Sequence, residues 1–297
     1  MKNFHKQYNN YVEIINQRLS TLINISDINQ TVAEAMKYSL TIGGKRIRPI
    51  LAIEFFKLCG GGNIEQDIID IACTIEMIHT YSLIHDDLPC IDNDSIRRGY
   101  PSCHIKFGPA FAVLAGDSLL IEPFNIISSL DNFSNEIRVN IINVLSKSIG
   151  YQGMIAGQNM DILLSNSSDK VTLDMLFKIN NLKTGELIRA AAKIGCIVAG
   201  GNKEQIKMAD KYAYNIGLAF QIIDDILDIT GNVKILKKPI GSDNRNNKIT
   251  YVDLLGVQKC KEKVIDLSNE AINIISSRFR NVDFMIDLTN YLLARDH

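Results

Sequence analysis

The 297-residue sequence lacks a charge imbalance, since 32 basic and 33 acidic side chains leave a formal net charge of −1. A chain with so little net charge has no global field that would attract nucleic acid or an anionic membrane surface. It also lacks an apolar N-terminal segment of the signal-peptide type and any run approaching the roughly 20 apolar residues that a membrane span needs. We therefore expect a cytoplasmic protein with no nucleic-acid partner and no membrane span.

Cysteine is scarce and scattered. The chain has 6 cysteines, and no two of them form a Cys-x-x-Cys pair. The sequence therefore indicates neither a zinc knuckle nor a disulfide framework. We expect the cysteines to be small, buried hydrophobic residues.

Proline is also rare, and none of the 6 lies between Pro123 and Pro239, so this long stretch lacks the strongest helix breaker. Apolar residues recur at spacings of three and four over residues 67–84 and 212–227, which is the helical period. Alternation of the strand type is weak, and no Asn-Gly hairpin signal occurs. We predict an all-α fold.

Hydrophobic residues make up 46% of the chain, enough for one large core, and we see no seam that would divide it. We expect a single domain over residues 1–297. Glycine runs at 60–62 and 200–201 indicate helix ends. A long segment at 231–248, rich in Lys and Asn, fits a lid or binding loop and a plain surface loop equally well.

A dense acidic group lies at the end of the first predicted helix. It contains Asp86, Asp87 and Asp92, and Pro89 interrupts it. Because proline disfavours helical geometry at the preceding residue, Asp86 and Asp87 should lie in the last helical turn while Asp92 follows a bend. Carboxylates at a helix C-terminus oppose the helix dipole, which favours a compensating cation. The simpler alternative is a solvated acidic helix end.

A second acidic group interrupts the other predicted helix with Asp224, Asp225 and Asp228. Asp224 and Asp228 are four residues apart and share one helix face. Carboxylates that repel one another in apolar surroundings are costly unless a cation neutralises them, and an all-oxygen set favours Mg²⁺. Since Mg²⁺ completes its shell with water and phosphates, the two groups predict a clamp on a diphosphate.

Basic residues alternate with these acidic groups along the chain. Lys45 and Arg48 lie in the run Gly-Gly-Lys-Arg-Ile-Arg-Pro, and Arg97 and Arg98 follow the first acidic group. Arginine forks match the oxygen geometry of phosphate. Either basic pair alone is typical of a solvated surface, but their alternation with carboxylates favours an anion site.

Five motifs occur in a specific order. They are Gly-Gly-Lys-Arg-Ile-Arg-Pro at 43–49, His-Asp-Asp-Leu-Pro-Cys-Ile-Asp at 85–92, Arg-Arg-Gly at 97–99, Lys-Thr-Gly at 183–185 and Gly-Leu-Ala-Phe-Gln-Ile-Ile-Asp-Asp-Ile-Leu-Asp at 217–228. This order resembles the trans-prenyl diphosphate synthases, and within them the bacterial farnesyl type. The resemblance implies a single-domain bundle of long, mostly antiparallel helices around a deep central cavity, and a homodimer.

The resemblance also implies how the acidic groups act on an allylic diphosphate. About three Mg²⁺ ions would bridge to it, two held by Asp86 and Asp92 and one held by Asp224 with Asp228 behind it. The cations that would stabilise the departing diphosphate are Arg97, Lys183 and Lys238. Ionisation of the allylic C–O bond would give a delocalised carbocation, which is electrostatic catalysis.

A pocket for isopentenyl diphosphate is implied at Lys45, Arg48, His79 and Arg98. The double bond of that substrate would attack the cation before a proton is lost to the departed diphosphate. From its helix position alone, His79 reads as an ordinary core histidine.

Further residues match the family around the cation and in the 231–248 segment. Thr184 and Gln221 match positions that line the path of the cation, and Lys248 matches a further loop lysine. Lys237 stands where glycine is usual, which leaves open whether Lys237 or Lys238 reaches phosphate.

The residues before the first acidic group bear on product length. Tyr81 precedes Asp86 by five residues, about 7.5 Å along a helix that rises 1.5 Å per residue. An aromatic ring there would form a floor under the growing chain. With small Ser82 beside it, the arrangement resembles the farnesyl type and predicts a C15 product. The alternative is that Tyr81 is ordinary core packing.

Four other functions stay open. A geranylgeranyl diphosphate synthase shares nearly every motif quoted above. A terpene cyclase usually mixes Asn, Ser or Thr, and Glu in its second metal motif, where this chain has only aspartates. His79 with His85 and Asp86 would suit a metal-dependent phosphohydrolase. A non-catalytic synthase subunit would be expected to lack one acidic group or the arginine pair, and both are present.

Overall fold

The computed structural model describes residues 2–62, 66–165, 171–230 and 249–293. The chain forms two compact units. We call Lys2–Ile53 with Asn63–Ile142 the N-terminal unit, and Glu54–Gly62 with Asn143–His297 the C-terminal unit. Apart from one two-stranded sheet, the regular structure of the described residues is helical. The predicted all-α class is confirmed.

The described residues of the first half of the chain form seven helices and a hairpin. They are α1 (Lys2–Leu22), α2 (Gln30–Thr41), α3 (Ile47–Leu58), α4 (Gln66–Asp86), β1 (Ile96–Arg97), β2 (Tyr100–Pro101), α5 (Cys103–Phe107), α6 (Pro109–Ser128) and α7 (Asn135–Ile149). The second half contains α8 (Met154–Ser165), α9 (Leu173–Asn180), a π-helical turn (Asn181–Gly185), α10 (Glu186–Val198), α11 (Lys203–Thr230), α12 (Tyr251–Leu255), α13 (Val257–Arg278) and α14 (Asp283–Leu293).

Helix α4 is the central helix of the N-terminal unit and packs against α1, α2 and α6. Its side chains are buried on almost every face, which is the pattern of a core helix. Two of its acidic residues are buried with partners: Asp70 accepts from Arg18 at 2.6 Å, and Glu76 from Arg46 at 2.6 Å. Because burial of an unpaired carboxylate is costly, these pairs fix α1 and the 43–49 segment against α4.

Helix α6 departs from the expectation that no segment approaches a membrane span. Among the described residues it is the one helix whose length and composition would allow a crossing. One face packs on α4 and α2, while Phe111, Leu114 and Ile121 are exposed. Apolar residues in that number on an outer face are typical of a contact surface.

In the C-terminal unit, the 28-residue helix α11 packs against α10 and α13. Its apolar face forms a core with Tyr251 of α12 and Leu267 of α13. The buried Tyr212 shares a hydrogen bond of 2.9 Å with Thr289, which ties α11 to α14. The predicted helical segments 67–84 and 212–227 lie inside α4 and α11, so both are confirmed.

Candidate active site

The first acidic group surrounds the C-terminus of α4, which ends at Asp86 as the proline predicts. The chain then turns back, and the backbone N–H of Asp92 donates to the carbonyl of Asp86 at 2.9 Å. A further bond of 3.1 Å from the Asn93 N–H to the Leu88 carbonyl closes the bend. Residues separated by six positions are thus brought together, and Asp86 and Asp92 both stay partly exposed.

Asp87 has a different environment from its neighbour Asp86. It is only 2% exposed, and the Arg97 Nε donates to both of its carboxylate oxygens at 3.1 Å, with a further contact from Nη2. Burial raises the pKa of Asp87, while the Arg97 guanidinium opposes that rise. Asp87 is therefore a structural anchor for Arg97, and Asp86 is the exposed carboxylate of the pair.

The two basic motifs of the N-terminal unit meet at a tight hairpin. Arg98 and Gly99 form its two-residue turn, with φ of 55° and 84°, the left-handed geometry that suits a hairpin. The Arg98 guanidinium donates to the Gly43 carbonyl. A Cβ on Gly44 would lie 2.8 Å from its central carbon, and Gly44 has a φ of 133° that other residues rarely adopt, so glycine is favoured at this position.

His79 lies among the arginines. Burial, followed by the positive charges of Arg48 and Arg98, lowers the pKa of His79 well below its ordinary value. The imidazole is therefore neutral at pH 7. Lys45, in the 43–49 segment, is exposed, and its backbone carbonyl accepts a hydrogen bond of 2.7 Å from the Tyr8 hydroxyl.

Arg46 stands between these basic residues in sequence but has another role. It is 2% exposed, and its guanidinium donates to the Glu76 carboxylate, the Asn16 side chain and the Leu40 carbonyl. All three partners lie inside the N-terminal unit. Arg46 therefore stabilises the segment that presents Lys45 and Arg48.

Tyr81 is 7% exposed, and its ring meets that of His85 edge to face at 5.4 Å. Burial, with the nearby Asp86 carboxylate, raises the pKa of Tyr81 to about 12, so its hydroxyl stays protonated. His85 is seated on Gly116 of α6, where a Cβ would collide with its ring, and its Nε2 lies 3.2 Å from the Val113 carbonyl. Ser82 donates to the His79 carbonyl at 2.9 Å.

The second acidic group lies near the end of α11 and repeats the contrast seen in the first. Asp225 is 5% exposed and accepts bonds from the Tyr251 N–H at 2.9 Å and the Gln221 amide at 3.2 Å. It therefore anchors the start of α12. Asp224 and Asp228 are partly exposed on the helix.

Thr184 and Gln221, predicted from separate motifs, are brought together. The Thr184 hydroxyl donates to the Gln221 carbonyl oxygen at 3.5 Å, and the Gln221 amide in turn reaches Asp225. Thr184 lies in the π-helical turn, a distortion that is frequent at functional sites. A polar chain thus runs from the Lys-Thr-Gly motif to the second acidic group.

Lys183 lies in the same π-helical turn. Its Nζ pairs with the Asp161 carboxylate at 2.6 Å. The turn approaches α8 so closely that a Cβ on Gly157 would lie 2.7 Å from the Lys183 Cα. The backbone contact and the ion pair hold the ammonium group in one place.

Two polar residues of α8 belong to this site and escape prediction from the motifs quoted above. Both side-chain amide atoms of Gln158 are buried without a partner among the described residues. Asp161, which pairs with Lys183, follows it by one helical turn. The available signal was a glutamine and an aspartate three residues apart on a mostly apolar helix.

The donor set fits Mg²⁺. Among the described residues, no three acidic, histidine or cysteine side chains converge on one point. Mg²⁺ needs only one or two protein carboxylates, because water and substrate phosphates complete its shell. The partly exposed pairs Asp86 with Asp92 and Asp224 with Asp228 supply such ligands. Lys237, Lys238 and Lys248 lie outside the described residues.

Known proteins resemble this chain over nearly its whole length. The family model described as Polyprenyl synthetase matches residues 29–289. Farnesyl diphosphate synthase of Bacillus subtilis (strain 168) is 40% identical over 285 residues, 95% of each chain. Chloroplastic geranylgeranyl pyrophosphate synthase of Catharanthus roseus is 42% identical over 268 residues, 90% of this chain and 74% of that one. The geranyltransferase of Helicobacter pylori, solved with magnesium and isoprenyl diphosphate, aligns with a TM-score of 0.84 at 30% identity, over 97% of this chain and 95% of that one. The chain therefore belongs to the polyprenyl synthetase family and is a prenyltransferase.

Proposed function

We propose that this enzyme condenses isopentenyl diphosphate with dimethylallyl and geranyl diphosphate to give farnesyl diphosphate. One observation carries the proposal: in each acidic motif one aspartate is buried as an anchor, Asp87 or Asp225, while its neighbours Asp86 and Asp224 stay partly exposed. Two structurally anchored carboxylate groups suit a metal-bridged diphosphate. The farnesyl diphosphate synthase of Bacillus subtilis supports the substrate class.

Mg²⁺ is the proposed cofactor, in about three ions per site. The residues that would hold it are Asp86, Asp92, Asp224 and Asp228. When bound, the ions would neutralise charge on the departing diphosphate.

Two cationic side chains, those of Arg97 and Lys183, are proposed to bind the departing diphosphate. Arg97 is oriented by Asp87 and Lys183 by Asp161, so neither side chain has to be ordered when substrate arrives. Preoriented positive charge stabilises the diphosphate as the allylic C–O bond breaks. Lys238 is proposed for the same role from its motif alone, as is Lys248 for a supporting one.

The isopentenyl diphosphate site is proposed at Lys45, Arg48, His79 and Arg98. The positive charges of Arg48 and Arg98 act on a neutral imidazole, so His79 can donate or accept a hydrogen bond without adding charge. The Thr184 hydroxyl and Gln221 amide dipoles would stabilise the carbocation, since neither group is nucleophilic enough to trap it. The proton would leave to the released diphosphate, so no side-chain base is required.

The C15 product is proposed from the floor formed by Tyr81, with Ser82 beside it. Its ring is buried and held by His85 from the same helix, so it presents a fixed surface rather than a mobile one. A geranylgeranyl diphosphate synthase is the alternative, because a plant enzyme of that name is 42% identical. A phosphohydrolase is disfavoured, since His79 lies among arginines and the His85 Nε2 faces the Val113 carbonyl.

We also propose a homodimer formed through the outer face of α6. Phe111, Leu114 and Ile121 expose 40%, 49% and 64% of their surfaces there, an apolar face that a second copy would cover. Introducing Leu114→Glu and Ile121→Glu should halve the mass measured by sedimentation, while Ile265→Glu on α13 should not. A cytoplasmic location and a single domain over residues 1–297 stay predictions; the family match over residues 29–289 supports the single domain.

The test is a product assay. Purified enzyme is given Mg²⁺, isopentenyl diphosphate and either allylic starter, and the dephosphorylated products are sized by chromatography. Farnesol is expected, and Asp86→Ala or Asp224→Ala should abolish it, whereas Asp131→Ala, at a side chain 97% exposed, should not. Geranylgeraniol would refute the C15 product alone. No condensation with either starter would refute the proposed function.

A further inference from the structure

Two of the six cysteines meet inside the C-terminal unit. Cys59 lies just beyond the end of α3, and Cys196 lies in the last turn of α10. Their side chains are close enough that each thiol shifts the pKa of the other. The two positions are far apart in sequence, so nothing in the spacing of the cysteines indicates the pair.

A glycine makes room for this contact. A Cβ on Gly201 would lie 3.1 Å from the Cys59 Sγ, 3.3 Å from the Cys196 Cβ and 2.9 Å from the Cys196 carbonyl oxygen. The chain reaches this position because Gly200 takes a left-handed φ of 72° after α10, and the Gly201 N–H then donates to the Cys196 carbonyl at 2.8 Å. The absence of a side chain at Gly201 therefore leaves the space that the two cysteine side chains occupy.

The two thiols are not equivalent. Cys59 is half-buried, whereas Cys196 is fully buried. The interaction with Cys196 lowers the pKa of Cys59, and the interaction with Cys59 together with burial raises the pKa of Cys196. A partly exposed thiolate is the nucleophilic form of cysteine, and a second thiol in contact can resolve its oxidised product.

The other four cysteines lack this combination. Cys73, Cys103 and Cys260 are buried, and burial raises the pKa of each thiol. Cys90 is exposed on the bend after α4. Oxidation of a lone buried thiol is disfavoured, and an exposed lone thiol has no partner within the chain.

We propose that Cys59 and Cys196 form a modification site that a peroxide converts into a disulfide. The Cys59 sulfur attacks one peroxide oxygen, the O–O bond breaks, and Cys59 becomes a sulfenic acid as water is released. The Cys196 sulfur then attacks the Cys59 sulfur and displaces a second water. Two thiols thus lose two protons and two electrons to one peroxide, giving one disulfide and two waters.

The disulfide would link the ends of α3 and α10. Since α10 starts directly after the π-helical turn that carries Lys183 and Thr184, the link would fix the far end of the helix behind these residues. A covalent link between distant positions also restricts the unfolded chain. The oxidised enzyme should therefore unfold at a higher temperature than the reduced one. The inference does not depend on which prenyl product the enzyme makes.

The experiment uses the full chain carrying Cys90→Ser, which removes the exposed competitor. The protein is exposed to hydrogen peroxide, quenched, alkylated under denaturing conditions and digested without reductant. We expect two of the five remaining thiols to be lost, one peptide pair joining Cys59 to Cys196, and recovery of both thiols with dithiothreitol. Cys59→Ser or Cys196→Ser should abolish the linked peptide, and Cys73→Ser, at a buried cysteine elsewhere, should leave it.

Two results would overturn the proposal. One is five intact thiols at a peroxide dose that fully oxidises free cysteine in a parallel tube. The other is oxidation of Cys59 to a sulfinic or sulfonic acid with no linked peptide, which would show that Cys196 cannot reach it. If Cys59→Ser or Cys196→Ser proves unstable, the peptide map of the Cys90→Ser protein alone still decides between these outcomes.

Discussion

Gly116→Ala should disturb the proposed floor at Tyr81 without touching a charged residue. A Cβ at this position would lie 3.0 Å from the His85 Cε1, and the Nε2 and Cδ2 atoms of the ring would be nearer still. Since non-bonded carbon atoms prefer separations of about 3.5–4.0 Å, the ring must move by about 1 Å. The bond between His85 Nε2 and the Val113 carbonyl, now 3.2 Å, cannot survive that shift unchanged.

Tyr81 should move with His85, because the two rings are in edge-to-face contact. Overpacking of this size typically costs about 1–3 kcal/mol, which corresponds to a fall of several degrees in the unfolding temperature. We also expect the C20 share of the product to rise, as it should in Tyr81→Ala. Calorimetry measures the first effect, and chromatography of the dephosphorylated products measures the second.

The matched control is Gly62→Ala, since a Cβ on Gly62 would meet nothing within 4 Å. The double variant His85→Ala with Gly116→Ala removes the collision, so it should regain part of the stability that Gly116→Ala loses. It should still make longer products, because Tyr81 then has no ring against it. A Gly116→Ala enzyme with the stability and product ratio of the wild type would refute the reasoning.

Three further outcomes follow from the site. Arg46→Met should lower the free energy of unfolding by about 3–5 kcal/mol, because it leaves Glu76 buried without its partner. Unfolding in urea measures this change, and unchanged stability would contradict the structural role of Arg46. Because the pKa of His79 is lowered in the folded protein, the unfolded chain protonates this histidine at a higher pH than the folded chain does. The contribution of His79 to stability is therefore complete above about pH 6.5 and is lost as the pH falls below that value. His79→Gln should therefore flatten the fall in unfolding free energy between pH 7.5 and about pH 5, and an unaltered slope would argue against it. Asp161→Asn should lower kcat by about tenfold, because the Lys183 ammonium is retained but no longer oriented. Lys183→Ala should lower kcat by ~10²–10³-fold. Equal losses of kcat in the two variants, or no loss in Asp161→Asn, would exclude the orienting role of Asp161.

Helical periodicity predicted the core of this protein well, because α4 and α11 are apolar at nearly every turn and contain few breakers. The hairpin at Arg98 could not be predicted in the same way. Its turn places an arginine at φ of 55°, a geometry that glycine and asparagine usually occupy. The compensation comes from the bond to Gly43, a contact far away in sequence.

The family resemblance singles out Asp86 and Asp224 as metal ligands, but the sequence does not show what their neighbours Asp87 and Asp225 do. Asp86 and Asp87 are adjacent and chemically identical, and only the position of Arg97 on the hairpin makes one of them an anchor. Asp225 is distinguished by Tyr251, whose N–H reaches it from another helix. Gln158 is uncharged and lies outside the five motifs, so the burial of its amide could not be predicted from the sequence.

The bond between Asp225 and the Tyr251 N–H has a practical use. It joins the two helices on either side of the 231–248 segment, because α11 ends at Thr230 and α12 begins at Tyr251. The Thr250 and Asp253 side chains cap α12 reciprocally, so its start is fixed by local bonds as well. The attachment points of the 231–248 segment are therefore set outside that segment. Grafting this segment from one relative to another should leave the helical scaffold intact, so the lysines predicted to bind phosphate, Lys237, Lys238 and Lys248, can be exchanged there without redesigning the fold.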